Sequence, residues 1–458
     1  MMGRQESAQD QFFYNFCLDD MVPADHLVRR IDAVLDLSWM HGELEPYYSH
    51  TGRPSIDPEL MMRMLIIGYV FAIRSERQLC SEVQVNLAYR WFCHLDVEDP
   101  IPDHSVFSRA RHERFCEPDI FRRVFESIVG TCIGEGLVGG KSFSVDASFI
   151  KADVNKVKRV PGNEPIDWPD NKQASRAVTE YLNALVEDAP EVGKGGRKTK
   201  APKAISLTDP QATWTTKNQK VRPSFVYDAN YLIDNKLGII VDAEGTRANR
   251  IEENRVCVSM VERVIRRFDL KPARLAADTA YGSGKTLKAL LDHDIDPHVP
   301  VWDKSRRKDG TFSRKDFDYD RERDVYTCPG GATLKATGNV HSDDTLRYRA
   351  KTSTCRSCPL KARCCPNTAN RKVPRDNNED ARDYVRALAE TKAFKISSDE
   401  RKKVEMAFAH MKRIFKLDRF RLRGLSGARD EVLLTAMAQN LRKLAKYVNR
   451  SPPILNTA

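Results

Sequence analysis

Asp146 and Asp278 each close a short apolar stretch, Phe143-Ser144-Val145-Asp146 and Ala273-Arg274-Leu275-Ala276-Ala277-Asp278. Read as strands, both deliver a carboxylate at the C-terminal end, where the chain leaves a sheet and where α/β folds gather their ligands. A third carboxylate comes from a helix. Residues 397–415 carry a 3.6-residue apolar period with Val404, Phe408, Met411 and Phe415 as the core stripe. At about 100 degrees per residue, Arg401, Glu405 and Lys412 fall at about 0, 40 and 20 degrees, so one carboxylate lies between two cations on a single face. The alternative reading of that face is a solvated charged stripe with i,i+4 pairing.

Three carboxylates brought together repel one another and cost stability unless cations bind among them. Oxygen ligands without accompanying His or Cys select magnesium or manganese. Two such ions activate water, stabilise a leaving oxygen and hold a phosphodiester in line. Asp228 and Asp242 lie in neighbouring strand-like stretches and Asp153 lies close to Asp146, and residue type alone leaves these rivals open.

The elements that must position these groups follow from the pattern. Residues 11–133 read as mostly helical, with Asp57 an N-cap before Pro58 and an apolar face continuing through Leu60, Met61, Met64, Leu65, Tyr69 and Ile73. A second helical segment runs from Arg74 to Cys93 with a break near Ser81. After Pro100 and Pro102 comes a helix, Ser105 to Phe115, expected to expose Arg109, Arg111, His112 and Arg114. Helix, turn and basic helix suit a helix-turn-helix DNA-binding module, and equally a small bundle with a charged surface. Beyond the glycine-rich 134–140 stretch, strands at 141–150, 224–228, 231–233, 238–242 and 273–277 interleave with helices at 172–188, 252–268 and 285–293. That order predicts a mixed α/β sheet. The Gly-Lys tract 193–200 within the basic insert 151–204 reads as a surface loop able to neutralise phosphates. The domains expected are 1–135, helical; 136–302, the first part of an α/β domain; 303–396, a cysteine-rich insertion; and 397–458, C-terminal helices.

Composition sets the bounds. In 458 residues Lys plus Arg outnumber Asp plus Glu by 75 to 64, a net charge of +11 and pI near 9.0, the balance of a protein that meets a polyanion. The longest apolar run, Met64 to Ile73, is too short for the roughly 20 residues of a membrane span. Gln5, Glu6, Gln9 and Asp10 stand where a secretory signal needs a basic region, so the chain is expected to stay in the cytoplasm. Of 11 cysteines, Cys17, Cys80, Cys93, Cys116, Cys132 and Cys257 are scattered and the other five cluster between 328 and 365, which suits reduced thiols and one metal site.

Asp146-Ala147-Ser148, Asp278-Thr279-Ala280-Tyr281-Gly282 and Arg401-x3-Glu405-x6-Lys412 resemble the three catalytic blocks of bacterial insertion-sequence DDE transposases. The last block is similar to the Tyr-x2-Arg-x3-Glu-x6-Lys signature of that superfamily, with Ser398 in place of the tyrosine. The resemblance spans about residues 141–445 and implies an RNase H-like α/β sheet flanked by helices, behind an all-α DNA-binding region. It implies that Asp146, Asp278 and Glu405 hold two magnesium or manganese ions. Arg401 and Lys412 would contact phosphates near the cleavage point, and Tyr281, Arg109 and Arg111 are further candidates for DNA contact. The implied partners are double-stranded DNA, as terminal inverted repeats and target, and further copies of the chain in a dimer or larger synaptic assembly near the bacterial nucleoid.

Within the insertion, Cys328, the pair Cys355-Arg356-Ser357-Cys358 and Cys364-Cys365 suit a tetrahedral structural zinc, with Cys364 a better fourth ligand than Cys365. The alternative is a set of reduced cysteines packing a small subdomain. Two other functions stay open beside active transposition: a DNA-binding descendant without chemistry, and a metal-dependent nuclease that cuts without joining.

Overall fold

The computed structural model describes residues 16–49, 51, 55–115, 119–169, 173–187, 202–216, 222–302, 309–341 and 344–448. The Gly-Lys tract 193–200 lies outside them. The chain divides into two compact units, one formed by Met1–Val138, Ala409–Arg421 and Asp430–Ala458, the other by Gly139–Phe408 and Leu422–Arg429. Residues 397–458, expected as C-terminal helices, contribute to both units. Among the described residues no helix is long and apolar enough to cross a membrane.

The first unit is helical, as its apolar periods predict. Asp57 caps α1 (Pro58–Val70), its side chain accepting the Leu60 N–H. Most of α1 is buried. That includes Arg63, which spends its guanidinium on Asp32 at 2.6 Å, Glu59 at 2.9 Å and the Phe92 carbonyl at 3.0 Å. The next segment breaks at Asn86, not at Ser81. Asn86 ends α2 (Glu76–Val85), and its side chain caps α3 (Leu87–Phe92) by accepting from the Tyr89 N–H. An asparagine serves as an N-cap because its carbonyl oxygen takes an otherwise orphaned amide. Asp103 caps α4 (His104–Glu113) in the same way, and α5 (Ile120–Gly134) follows.

The second unit is built on a mixed sheet. Its strands are β1 (Ser142–Lys151), β2 (Thr213–Thr215), β3 (Ser224–Asp234), β4 (Ile240–Arg247), β5 (Arg274–Ala276) and β6 (Asp296–His298). Helix α6 (Arg176–Glu187) precedes β2, α7 (Arg250–Phe268) follows β4, and α8 (Gly284–Asp292) lies between β5 and β6. β3 pairs antiparallel with β1, β2 and β4, whereas β5 runs parallel to β1 and β6 parallel to β5. β1, β3 and β4 run antiparallel, with the short β2 added beside β3, and β5 and β6 continue in parallel on the other side of β1, which makes the sheet RNase H-like. The core is in place because β3 and β4 are buried along almost their whole length.

Where the sequence showed no α/β rhythm, a second sheet appears. β7 (Asp318–Asp320), β8 (Val325–Thr327), β9 (Thr333–Val340), β10 (Thr345–Arg349) and β11 (Lys372–Asp376) form an antiparallel ladder in the order β11-β10-β9-β8-β7. Helix α9 (Glu379–Leu388) ties it to the first sheet, its Arg382 donating to the Trp302 carbonyl at 2.7 Å. Glu379, 1% exposed, gathers Arg314, Arg382 and Arg386. A buried carboxylate needs such partners.

The last two helices among the described residues are long, α10 (Lys392–Arg413) and α11 (Gly424–Tyr447). α10 starts five residues before the expected Ser397, since Thr391 Oγ1 accepts the Phe394 N–H at 3.2 Å. Ser397 is buried inside the helix, sharing a 2.7 Å hydrogen bond with His298 Nδ1. In the helical unit, buried Glu431 of α11 pairs with Arg74.

Candidate active site

The site is assembled where β1 and β5 run side by side. Their parallel ladder pairs Ser142 with Arg274 and Ser144 with Ala276. Two residues further along each chain stand Asp146 and Asp278, so neighbouring strands deliver both carboxylates at the same level. Each is oriented locally: Asp146 Oδ1 accepts the Ala147 N–H and Asp278 Oδ1 accepts the Ala280 N–H, both at 2.8 Å. Asn254 of α7 pins the loop after Asp278 by donating to the Ala280 carbonyl at 3.3 Å.

Glu405 reaches the same place from α10. Arg401 Nη1 lies 3.7 Å from Asp146 Oδ2, and Arg401 Nη2 lies 3.3 Å from Glu405 Oε1. One guanidinium therefore spans the strand carboxylate and the helix carboxylate. α10 covers the face of the sheet that Asp146 shares with its cross-strand neighbour Tyr231, whose ring packs 5.2 Å from that of Phe408. The expected core stripe is buried at Val404, Phe408, Met411 and Phe415.

The register of α10 is set by residues that no spacing in the sequence singled out. Glu400 accepts from Ser142 Oγ at 2.9 Å and Asn235 Nδ2 at 3.4 Å, and it pairs with Arg274 Nη2 at 3.2 Å. Lys403 Nζ donates to the Asn235 carbonyl at 2.9 Å. Glu400 thus fastens the helix across the beginnings of β1 and β5, one residue before the arginine that bridges the acids, and Lys403 ties it to the turn after β3.

The rivals point elsewhere. Asp228 and Asp242 are each 2% exposed and face α7: Asp242 lies 3.5 Å from Arg263, and burial, then Glu253 and Glu252, pushes the Asp228 carboxyl up to about 8. Asp153 is tied to Arg423 Nη2 at 3.1 Å.

Two expected DNA contacts need correction. Tyr281 is 1% exposed, buried beneath the loop, and its hydroxyl finds no hydrogen-bond partner among the described residues. Burial foremost, then the charges of Glu253, Cys257, Asp146 and Asp278, holds its proton well above the ordinary phenol range. It backs both aspartates from inside the fold. Arg111 is 3% exposed, with Nη2 2.7 Å from Glu76 Oε1 of α2, because α4 packs that side against its neighbour. Arg109 is exposed and Arg114 stacks on Tyr48. Lys412 lies in the last turn of α10.

Among the described residues, no three His, Cys, Asp or Glu side chains already converge in an arrangement that could hold a metal ion. Positive charge at the acids is supplied by Arg401.

Two family models match the sequence. One, described as "Transposase domain (DUF772)", covers residues 16–113, and the other, "Transposase DDE domain", covers residues 327–445. Both matches are to transposase domains, and each covers about a quarter of the chain or less. The second match contains Arg401, Glu405, Lys412 and the cysteine cluster, while Asp146 and Asp278 lie between the two. Among solved structures, the chain is similar to a piggyBac transposase in a synaptic complex with hairpin DNA, at 10% identity and a TM-score of 0.32, covering 93% of this chain and 80% of that one. A superposition that loose carries no detail of the site. No curated protein matches the sequence.

Proposed function

We propose that the chain cuts DNA at the ends of an insertion sequence and joins those ends to target DNA, with Asp146, Asp278 and Glu405 as ligands for two magnesium or manganese ions. The observation that carries this reading is the Arg401 bridge between Asp146 and Glu405, beside the level at which Asp278 leaves its strand. A guanidinium between two acids marks a place that wants positive charge, and an all-oxygen donor set suits hard divalent cations. Such ions, when bound, supply Lewis-acid activation of water and of the leaving oxygen.

The chain's own residues supply the rest. Asp146 within β1 and Asp278 just past β5, each locked by a backbone N–H, present fixed oxygens side by side in the interior of the sheet. Glu405, with a side chain 58% exposed, turns in from the helix to complete the set. Arg401, released from the acids, and Lys412 contact phosphate oxygens and stabilise negative charge as it develops. In strand cleavage a water oxygen bonds to phosphorus and the bond from phosphorus to the 3′ oxygen breaks, leaving a free 3′ hydroxyl. In strand transfer that hydroxyl bonds to a target phosphorus and the target's own bond to a 3′ oxygen breaks. Each step exchanges one phosphorus–oxygen bond for another, so neither nucleotide hydrolysis nor a covalent protein intermediate is required. The helical unit, with Arg109 exposed, binds the duplex, and a dimer or larger assembly holds two ends.

The test uses labelled DNA carrying the ends of the encoding element, magnesium and a circular target. Joined products are expected. Cut ends without joining would reduce the protein to a nuclease, and retention of uncut DNA would reduce it to a binder. Asp146→Asn is expected to keep DNA binding and to lose cleavage by at least about 100-fold, the range seen when a group stabilising developing charge is removed. Undiminished cutting by that variant would remove Asp146 from the site.

A further inference from the structure

We propose that the insertion holds one structural zinc ion in the cavity lined by its five cysteines, with Cys328, Cys355, Cys358 and Cys364 as the ligands. Cys328, Cys355, Cys358, Cys364 and Cys365 come from three separate turns of chain, yet all line one cavity of about 120 Å³. All five are free thiols, so no disulfide accounts for their meeting.

The backbone around Cys328 folds back so that an amide meets its sulfur. The chain doubles back, with the Cys328 N–H donating to the Ala332 carbonyl at 2.9 Å and the Gly331 N–H to the Cys328 carbonyl at 2.8 Å. The Ala332 N–H then points at Cys328 Sγ from 3.3 Å. Gly331 takes a φ of +75°, a conformation that glycine adopts without strain. At Gly330 an added Cβ would stand 3.3 Å from Cys358 Sγ and 3.7 Å from Cys328 Sγ, so two sulfurs from distant segments flank one bare backbone position. A second tight turn begins at Cys358, whose carbonyl accepts the Lys361 N–H at 3.1 Å. Simple apolar packing of cysteines asks for none of this.

The surroundings give the ion a reason to be there. The insertion's core is small: Phe317, Tyr326, Leu334, Tyr348 and Val373 are its large buried members, and Ala350, Cys355, Cys364 and Cys365 fill the remainder. A core of that size gains from a metal staple. Arg371, 6% exposed, lines the cavity and donates to the Cys364 carbonyl at 2.9 Å, placing a cation where four thiolates and a dication leave net negative charge. The thiols line the walls without yet converging on a common point. Loading therefore draws the two short helices, Thr352–Arg356 and Lys361–Cys364, inward onto the ion. Four thiols lose four protons to solvent as four sulfur–zinc bonds form, the tetrahedral thiolate set that zinc prefers. Cys365 remains a spectator in the wall.

The test is made on the full chain, with readouts independent of DNA cleavage. Elemental analysis of protein purified without chelator is expected to give about one zinc per chain. Cobalt exchange is expected to give thiolate-to-cobalt charge-transfer absorption with the d–d bands of a tetrahedral centre. Cys358→Ser is expected to lose the metal and Cys365→Ser to keep it. Should Cys358→Ser fail to fold, a strong chelator applied to the unmodified chain is expected to strip the zinc and lower the thermal midpoint. A metal-free chain with all five thiols open to a thiol reagent, a bound iron–sulfur cluster, or a chelator-treated chain with an unchanged midpoint would each overturn the proposal.

Discussion

At the scale of single residues, the Asp278 loop depends on an atom that is missing. A Cβ on Gly282 would lie 2.2 Å from the Pro300 carbonyl oxygen and 2.8 Å from the Trp302 nitrogen. The Trp302 N–H donates to the Gly282 carbonyl at 3.0 Å, so the two backbones are already fastened together. Gly282→Ala is expected to destabilise the fold by about 1–3 kcal/mol, the cost of overpacking against a backbone that must shift. Because the shift moves the loop that orients Asp278, cleavage should fall further than the thermal midpoint alone explains; unchanged activity at an unchanged midpoint would show that the loop absorbs the extra methyl. Asp228 gives a pH dependence. Its carboxyl is pushed up to about 8 in the fold against an ordinary 3.8, so the folded state holds a proton that the unfolded chain releases. The stability this gives is complete below about pH 4 and is lost as pH rises through the folded value near 8. Asp228→Asn should flatten that decline and raise the midpoint at about pH 9 by at least about 2 °C. An equal slope in both proteins, followed by calorimetry, would contradict it.

At the scale of elements, the decisive piece is α10, and its placement rests on Glu400. Glu400→Gln keeps the shape and weakens the pairing with Arg274 at 3.2 Å, loosening the register that puts Arg401 and Glu405 over Asp146. Cleavage should drop about tenfold while DNA affinity holds, since a small misplacement of catalytic groups is costly. A parallel loss of binding would mean that Glu400 acts on the fold as a whole. Much of this helix was legible: the 3.6-residue period fixed its buried stripe, and the spacing of Arg401 and Glu405 put them on one face. Its true start was not, because Thr391 is an ordinary surface residue until its hydroxyl caps the turn, while Ser397, a familiar capping type, is spent on His298. The same limit explains Arg111. Periodicity says which side of a helix is polar, but not that the next helix supplies Glu76 to bury it. Tyr281 stands in a motif that suggests contact with DNA, whereas its burial follows from α7 packing over the loop. The strands of the insertion hid because Lys372-Val373-Pro374-Arg375-Asp376 and its partners are short, charged and edge-like. Neither alternation nor apolar content marked them.

At the scale of the whole molecule, the excess of basic residues over acidic ones, +11, predicts that affinity for duplex DNA falls steeply with salt. Binding of non-specific duplex should weaken by at least about tenfold between about 50 and 200 mM salt, and Arg109→Ala should lower the slope of the log–log plot by about one. A flat salt response would remove phosphate contact as the source of affinity. The order of the chain has a further consequence. The two aspartates are translated early, but the glutamate that joins them belongs to a helix encoded after the entire five-stranded insertion. On the proposed reading, a chain stopped before α10 lacks Glu405 and also Ala409–Arg421 and Asp430–Ala458, the stretches that complete the helical unit, so both the acidic set and that unit wait for the last part of the sequence.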